Sequence, residues 1–455
     1  MTASPKRAQP SRLGLLRHPD FMKLWTGETI SQFGTQVSLL AIPLVAVTIL
    51  QATPFEVAML GTIEFLPFIL FSLPAGAWVD RLRRRPILII GDIGRAVLLA
   101  SIPVAYALDV LTIWQLYAVG FLAGTLTVFF DVSYQSYLPS LVDRDQLIEG
   151  NSKLEVTRTI AQTAGPALSG GLIGILTAPI AILIDSISYG FSAFFVFLIR
   201  RHEPTPDRHV DEHGRAREGL RKEVAAGLHY VLGNRYLRGI AAATGTSNLF
   251  NNIAFGTYIV YAVRVLGLTP AEIGIIFGIG NLGALLGAVT GNRWSARFGL
   301  GRTIIVSMFL SAPSILLVAM APKSSPVPFL IAAGLLAGFS GVVYNINQVS
   351  FRQAITPPTM QGRMNATMRF IVWGTIPIGS ILGGIIATTV SLSAALWVGA
   401  IGSFLAVIPL LITPVRTLAT MPEPATDGPG EPAPTEIPPE PDSDLPPDAP
   451  TLMQR

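Results

Sequence analysis

Four carboxylic acids stand inside long apolar stretches of this chain: Glu28, Glu64, Asp131 and Asp185. A carboxyl group held away from water favours its neutral, protonated form and gives up the proton when it meets water again. Such groups can load a proton on one side of a barrier and release it on the other. Ionisable residues inside apolar helices are costly, which makes each of the four a candidate for proton coupling. Each also has a plainer reading as a structural hydrogen-bonding group. Asp131 has Arg84 and Arg95 as possible ion-pair partners, whereas Asp185 and Glu64 lack an obvious basic partner in sequence.

A second polar set lies later in the chain: Asn248, Asn251 and Asn252, then Asn345, Asn347 and Gln348. These amides are candidates for lining a central cavity, with hydrogen bonding between helices as the alternative. Phe255, Tyr258 and Trp373 lie close enough in the reading to make such a cavity amphiphilic.

Nothing in the sequence points to an enzyme. The chain has no cysteine, and four of its five histidines (His202, His209, His213 and His229) fall in or beside one hydrophilic stretch. No metal-ligand spacing results, and no metal or other cofactor is expected. There is no Ser/His/Asp arrangement and no G-x-x-x-x-G-K-[ST] loop to hold a nucleotide. Work against a gradient would have to draw on an ion gradient or on the substrate's own.

The elements that must position these residues follow from hydropathy. Half of the 455 residues are hydrophobic and only 13% are charged, against about a quarter in a soluble domain. A membrane-spanning helix needs roughly 20 mainly apolar residues. Twelve such segments are predicted: 24–49, 57–79, 87–108, 112–138, 154–177, 179–199, 238–263, 271–294, 302–321, 327–350, 366–390 and 393–413. All but two of the 32 lysines and arginines, Arg264 and Lys323, fall on the side of the N-terminus. Basic residues concentrate in cytoplasmic loops, so both termini are expected in the cytoplasm and the number of spans is even. The net charge of +4 therefore reports topology and not nucleic-acid binding.

The chain also repeats itself. At a constant offset of 214, Phe130 and Asp131 match Tyr344 and Asn345, and Ser136 and Tyr137 match Ser350 and Phe351. Asn151 matches Asn365, Gly165 matches Gly379, and Gly170 matches Gly384. The pairs fall in spans of like orientation, so the halves are parallel repeats about an axis along the membrane normal. The expected division is a cytoplasmic tail (1–23), a six-helix half (24–199), a cytoplasmic loop (200–236), a second six-helix half (237–413) and a disordered Pro- and acid-rich tail (414–455). Within the loop, GRAREGLRKEVAAGLHYVL has helical spacing and predicts an amphipathic helix on the inner membrane surface.

Between the second and third segments stands GAWVDRLRRRP. With twelve helices in parallel halves, Gly76, Asp80, Arg81, Arg84 and Arg85 at G-x-x-x-D-R-x-x-R-R resemble the loop signature of the major facilitator superfamily. The resemblance covers residues 13 to 415. FMKLWTGETISQFGTQV, Pro67 and Pro74, Asp92 with Arg95, and YLPSLVDRDQLIEGNSKLEVTRTIAQTAGPALSGGLI are similar to bacterial exporters that include macrolide-efflux proteins and the enterobactin exporter. Thr35 departs from an acid common in those relatives, and Glu28 stands where an amide is common. Gly165, Pro166, Gly170 and Gly171 resemble the antiporter motif of the fifth helix, with tight packing as the bland alternative.

The resemblance implies an all-α bacterial inner-membrane protein that exports amphiphilic small molecules such as drugs or macrolides by proton antiport and alternating access. It implies that Asp80 latches the start of the eleventh helix, near Asn365 to Met368, when the cytoplasmic side is closed. Expected partners are the bilayer, the substrate and protons, with the chain a monomer. The alternatives are an exporter of a siderophore or other secondary metabolite, and a non-transporting membrane sensor. Glycines 274, 278, 283, 287 and 291 are read as a packing seam without a substrate role.

Overall fold

The computed structural model describes residues 14–79, 82–142, 146–201 and 220–420. Among these residues the chain is helical and forms no strand. The first half contains α1 (Pro19–Leu44, extended as a π-helix over Val45–Ile49), α2 (Pro54–Val79), α3 (Arg84–Ala107), α4 (Ile113–Leu141), α5 (Leu147–Leu176) and α6 (Ala178–Phe197). A shorter helix, α7 (Leu220–Gly233), leads into α8 (Arg235–Arg264), α9 (Pro270–Phe298), α10 (Leu300–Ala319), α11 (Pro326–Ala354) and α12 (Pro358–Thr389). The last long stretch is α13 (Leu392–Ser403), a short 3-10 turn and α14 (Ile408–Ile412).

Among the described residues, ten of these twelve long stretches are apolar enough to cross a membrane. The other two, α5 and α8, are equally long at 30 residues each but more polar. The turns that start the helices are written locally. Thr112 accepts from the Gln115 amide to begin α4, and Thr269 with Glu272 forms a capping box at α9. Prolines open α9, α11 and α12, where a missing N–H costs little.

The two halves use the same packing scheme. α1 packs on α5 and α6, α3 on α4 and α6, and α2 on α4. Correspondingly, α8 packs on α12 and α13, α10 on α11 and α13, and α9 on α11. The repeat read from sequence reaches single residues. Phe130 and Tyr344 are buried, while Asp131 and Asn345 beside them are exposed. Gly165 meets α1 as Gly379 meets α8, and Gly170 meets α9 as Gly384 meets α2.

The halves join along α2 with α12 and α5 with α9. On α9, Gly274 and Gly278 face α5, against Pro166, Gly170 and Ala167, whereas Gly283 and Gly287 face Leu335 and Phe339 of α11. A Cβ on Gly274 would stand 2.9 Å from the Gly170 Cα. Small residues here let the two backbones approach closely.

The joint is closed at one end only. Far from the termini, one apolar core runs through both halves and includes Leu44, Val57, Ala181, Ile273 and Ala400. At that end Arg264 donates to the Ala52 carbonyl at 2.7 Å, and the Phe55 amide donates to Thr388 at 3.2 Å. Arg264, an exception to the charge bias, thus ties α8 to the α1–α2 turn. At the end carrying the termini the core divides in two, one around Phe21, Leu88 and Tyr137, the other around Leu237, Phe351 and Met364. A cleft of about 350 Å³ opens there between Phe68 and Ile69 of α2 and Asn365 and Arg369 of α12.

Three expected segments are shorter than sequence indicated. Leu15, inside the expected tail 1–23, is buried and its amide donates to Glu149. At the other end Val415 is buried, and the Leu418 and Ala419 carbonyls accept from Gly301 and Leu300, so the expected disordered tail does not begin at 414. Helix α7 does not simply lie on a surface: it packs on α12, with Gly227 against Thr367 and Arg363 and the Tyr230 hydroxyl donating to the Ile355 carbonyl. In all three cases apolar side chains within a polar stretch find a partner on a neighbouring helix. The remainder of these tails and of the loop, at 1–13, 202–219 and 421–455, lies outside the described residues.

The joint between halves is testable by size. Gly274→Leu should destabilise the purified protein by about 1–3 kcal/mol, as overpacking does, read as a lower Tm in detergent. Gly171→Leu, where nothing stands within 4 Å of an added Cβ, should leave the Tm unchanged.

Candidate functional site

The first half gathers its ionisable groups around one arginine. On α3, Arg95 donates to Asp92 at 2.5 Å, and both side chains are almost wholly buried. Its guanidinium lies 4.2 Å from the ring centres of both Phe130 on α4 and Tyr189 on α6. Stacking between two rings suits a planar, weakly hydrated cation. Glu28 and Asp131 also lie within electrostatic reach of Arg95.

Three helices aim polar faces at this arginine. On α1, residues spaced four, three and three apart share one side: Glu28, Gln32, Thr35 and Ser38. Gln32 donates to Glu28 at 2.6 Å, Thr35 shares a 2.8 Å hydrogen bond with the Tyr189 hydroxyl, and Ser38 donates to Asp185. On α6, Ser188 donates to Asp185 at 3.1 Å. Gly34 makes room for this contact, because a Cβ there would collide with Ser188 and Asp185. On α4, Asp131 is exposed and lies within electrostatic reach of Arg158 on α5 as well as of Arg95.

Of the four acids expected to couple protons, Glu28, Asp131 and Asp185 therefore share one cluster. Asp185, which has no basic neighbour in sequence, has Arg95 close by through the α3–α6 contact. Glu64 stands apart on α2, its side-chain stem against Gly120 and its backbone carbonyl against Gly124 of α4, and its carboxyl makes no hydrogen bond among the described residues. The sequence reading did not count Asp92 among the site acids. Its spacing of three from Arg95 inside a predicted span was the available signal.

The second half holds the cavity. A polar chamber of about 660 Å³ is walled by α8, α10, α11 and α12. Asn248, Asn251, Asn345 and Gln348 line it, together with Ser311, Tyr344, Arg352, Arg369 and Trp373. Asn252 and Asn347 do not: each turns its amide to a carbonyl of its own helix, Asn248 and Val343 respectively. A second, apolar chamber of about 260 Å³ adjoins it through Asn251, Ser314 and Ala337, and is lined by Phe255, Tyr258 and Phe277. Together they make a pocket with a polar and an aromatic compartment, the size range of small-molecule sites.

The motif residues divide between the described and the undescribed. Gly76 belongs to α2, and Arg84 and Arg85 start α3, while Asp80 and Arg81 lie outside the described residues. Arg85 donates to the Val196 and Phe197 carbonyls, fastening α3 to the end of α6. Of the antiporter-like motif, Pro166 and Gly170 meet Gly274 across the joint, Gly165 meets Gln36 of α1, and Gly171 meets nothing within 4 Å.

The sequence profile of the transmembrane secretion effector family matches residues 10–433, a range that contains every described residue. The chain belongs to this family, within the major facilitator superfamily. It is 26% identical over 353 residues to the multidrug efflux pump Tap of Mycolicibacterium fortuitum, covering 74% of this chain and 81% of that protein. It is 22% identical over 382 residues to macrolide efflux protein A of Streptococcus pyogenes, covering 82% and 90%. A bacterial homologue of the iron transporter ferroportin in its inward-facing state shares the fold, with a TM-score of 0.68, 17% identity, and coverage of 88% of this chain and 98% of that one. The protein is thus a multi-pass membrane transporter of the major facilitator type.

The Arg95 cluster predicts a coupled energetic response. Removing one partner of a buried ion pair strands the other and costs about 3–5 kcal/mol, so Arg95→Gln should lower stability strongly in thermal unfolding. Adding Asp92→Asn should recover part of that loss. Additive losses in the double variant would show that the pair is not coupled.

Proposed function

We propose that the protein is a proton-driven exporter of amphiphilic small molecules at the bacterial inner membrane. The observation that carries this reading is the division of labour between halves. The first half (24–199) concentrates four carboxyl groups, Glu28, Asp92, Asp131 and Asp185, around Arg95, with Arg158 near Asp131. The second half (237–413) holds the two-compartment cavity.

Four acids sharing two guanidinium groups inside a helix bundle cannot all be charged at low cost, so the cluster exchanges protons as its exposure to water changes. Asp131 is the exposed member and, by the repeat, stands opposite the cavity residue Asn345. In this state the cleft opens at the end carrying the termini. With the termini in the cytoplasm, as the distribution of basic residues predicts, that is an inward-open state ready to load substrate. Closing the cleft would bring α2 onto the start of α12, where Asp80 is expected to latch. It would also separate the outer contacts of Arg264 and Thr388. The seam of Gly170 and Gly274 serves as the surface on which the halves rock. The similarity to efflux pumps for drugs and macrolides supports the same substrate class.

Inverted membrane vesicles containing the protein should take up ethidium or erythromycin when their lumen is acidified, and a protonophore should stop it. Asp185→Asn and Asp131→Asn should reduce the uptake to the level of empty vesicles while the protein remains at normal abundance. Full uptake in both variants would remove this cluster from the coupling mechanism.

A further inference from the structure

The polar chamber carries two cations and no counterion. Arg352, near the end of α11, and Arg369, in the fourth turn of α12, both face it and feel each other's charge. Neither makes an ion pair among the described residues. The second half offers none: from Arg235 to Thr420 the sole acid is Glu272, which is occupied in the capping box that starts α9 at the opposite end. Arg352 Nε is buried without a hydrogen-bond acceptor. Beside it Gln348, only 4% exposed, leaves its Oε1 unpartnered while its amide nitrogen donates to Asn345. The ring centre of Trp373 lies 5.2 Å from the Arg369 guanidinium.

Topology accounts for arginines at this end of the molecule, as at Arg293, Arg297 and Arg363. It does not account for two that face one chamber of amides and hydroxyls, where Arg352 Nε and Gln348 Oε1 are buried with no partner and Arg369 is exposed to the chamber. Buried polar atoms are almost always satisfied, and two neighbouring cations lack a negative group between them. An arginine fork matches the oxygens of a carboxylate, sulfonate or phosphate in two parallel hydrogen bonds.

We infer that Arg352 and Arg369 form an anion-binding subsite that takes the carboxylate, sulfonate or phosphate group of an amphiphilic small molecule. Gln348 lies at its edge as a further hydrogen-bonding group, and the aromatic compartment of Phe255 and Tyr258 takes the apolar part of the same molecule. Acidic amphiphiles are therefore bound more tightly than neutral or cationic ones of similar size, which the export reading still admits as substrates. This deepens the export reading and rests on it for the ligand's route, whereas binding itself is independent of transport.

The test is equilibrium dialysis on the full chain in phosphatidylcholine nanodiscs, with naphthalene-2-sulfonate and its neutral counterpart 2-naphthol as probes. The sulfonate should bind at least about tenfold more tightly, the scale of one charge-assisted hydrogen bond. Arg352→Gln and Arg369→Gln should each erase that preference without weakening 2-naphthol binding, and Arg352→Lys should restore part of it. Retained 2-naphthol binding shows that the variants are folded. Equal binding of the two probes by the unaltered protein, or an unchanged preference in both glutamine variants, would overturn the subsite. Loss of sulfonate binding when phosphatidylglycerol is added would also overturn it, assigning the arginines to a lipid headgroup. Sulfonate binding by a protein that moves no substrate in vesicles would leave the subsite standing and defeat only the export reading. Conversely, export of acidic amphiphiles at unchanged rate in both arginine variants would defeat the subsite alone.

Discussion

Burial of one guanidinium organises the first half of this transporter. A charge inside a helix bundle must be surrounded by groups of opposite sign or by ring faces, and Arg95 has both, with Asp92 at 2.5 Å and Phe130 and Tyr189 on either side. Meeting that requirement draws α1, α3, α4 and α6 onto a common centre. It also places Glu28, Asp131 and Asp185 within electrostatic reach of the same guanidinium. The second half has no such centre, and its space is left as a cavity.

The repeat explains how two unlike halves fit one architecture. Each half uses the same helix pairings, so the joint between them consists of two equivalent contacts, α2 with α12 and α5 with α9. Glycines at Gly170, Gly274 and Gly384 bring backbones close at both contacts. Close packing without long side chains allows small rotations with little repacking. The shared apolar core at one end and the divided cores at the other mark the closed and open ends of that joint.

Much of this was legible in the sequence because membrane helices obey strong constraints. Every predicted span lies on one of the long helical stretches, and the 214-residue offset reproduces the exposed pair Asp131 and Asn345 as well as the glycines at the joint. Hydropathy cannot report which face of a helix meets which neighbour. For that reason Asn252 and Asn347 were indistinguishable from the amides that line the chamber. Asp185 looked isolated for the same reason, since Arg95 reaches it only through the packing of α3 on α6. The docking of Leu15, Val415 and α7 was hidden because short apolar patterns in polar segments fall below the length that signals a span. Arg352 and Arg369 were first read as topology, and only the chamber between α11 and α12 separates them from the other basic residues at that end.

The central claim is that the carboxyl cluster of one half exchanges protons in step with occupancy of the cavity in the other. Proton release on substrate addition measures this directly, using purified protein in weakly buffered detergent with a pH-sensitive dye. Binding of a transported substrate should release protons from the unaltered protein, and Asp131→Asn combined with Asp185→Asn should abolish the release while substrate still binds. Binding with no proton release, or with the same release in the double variant, would contradict the account.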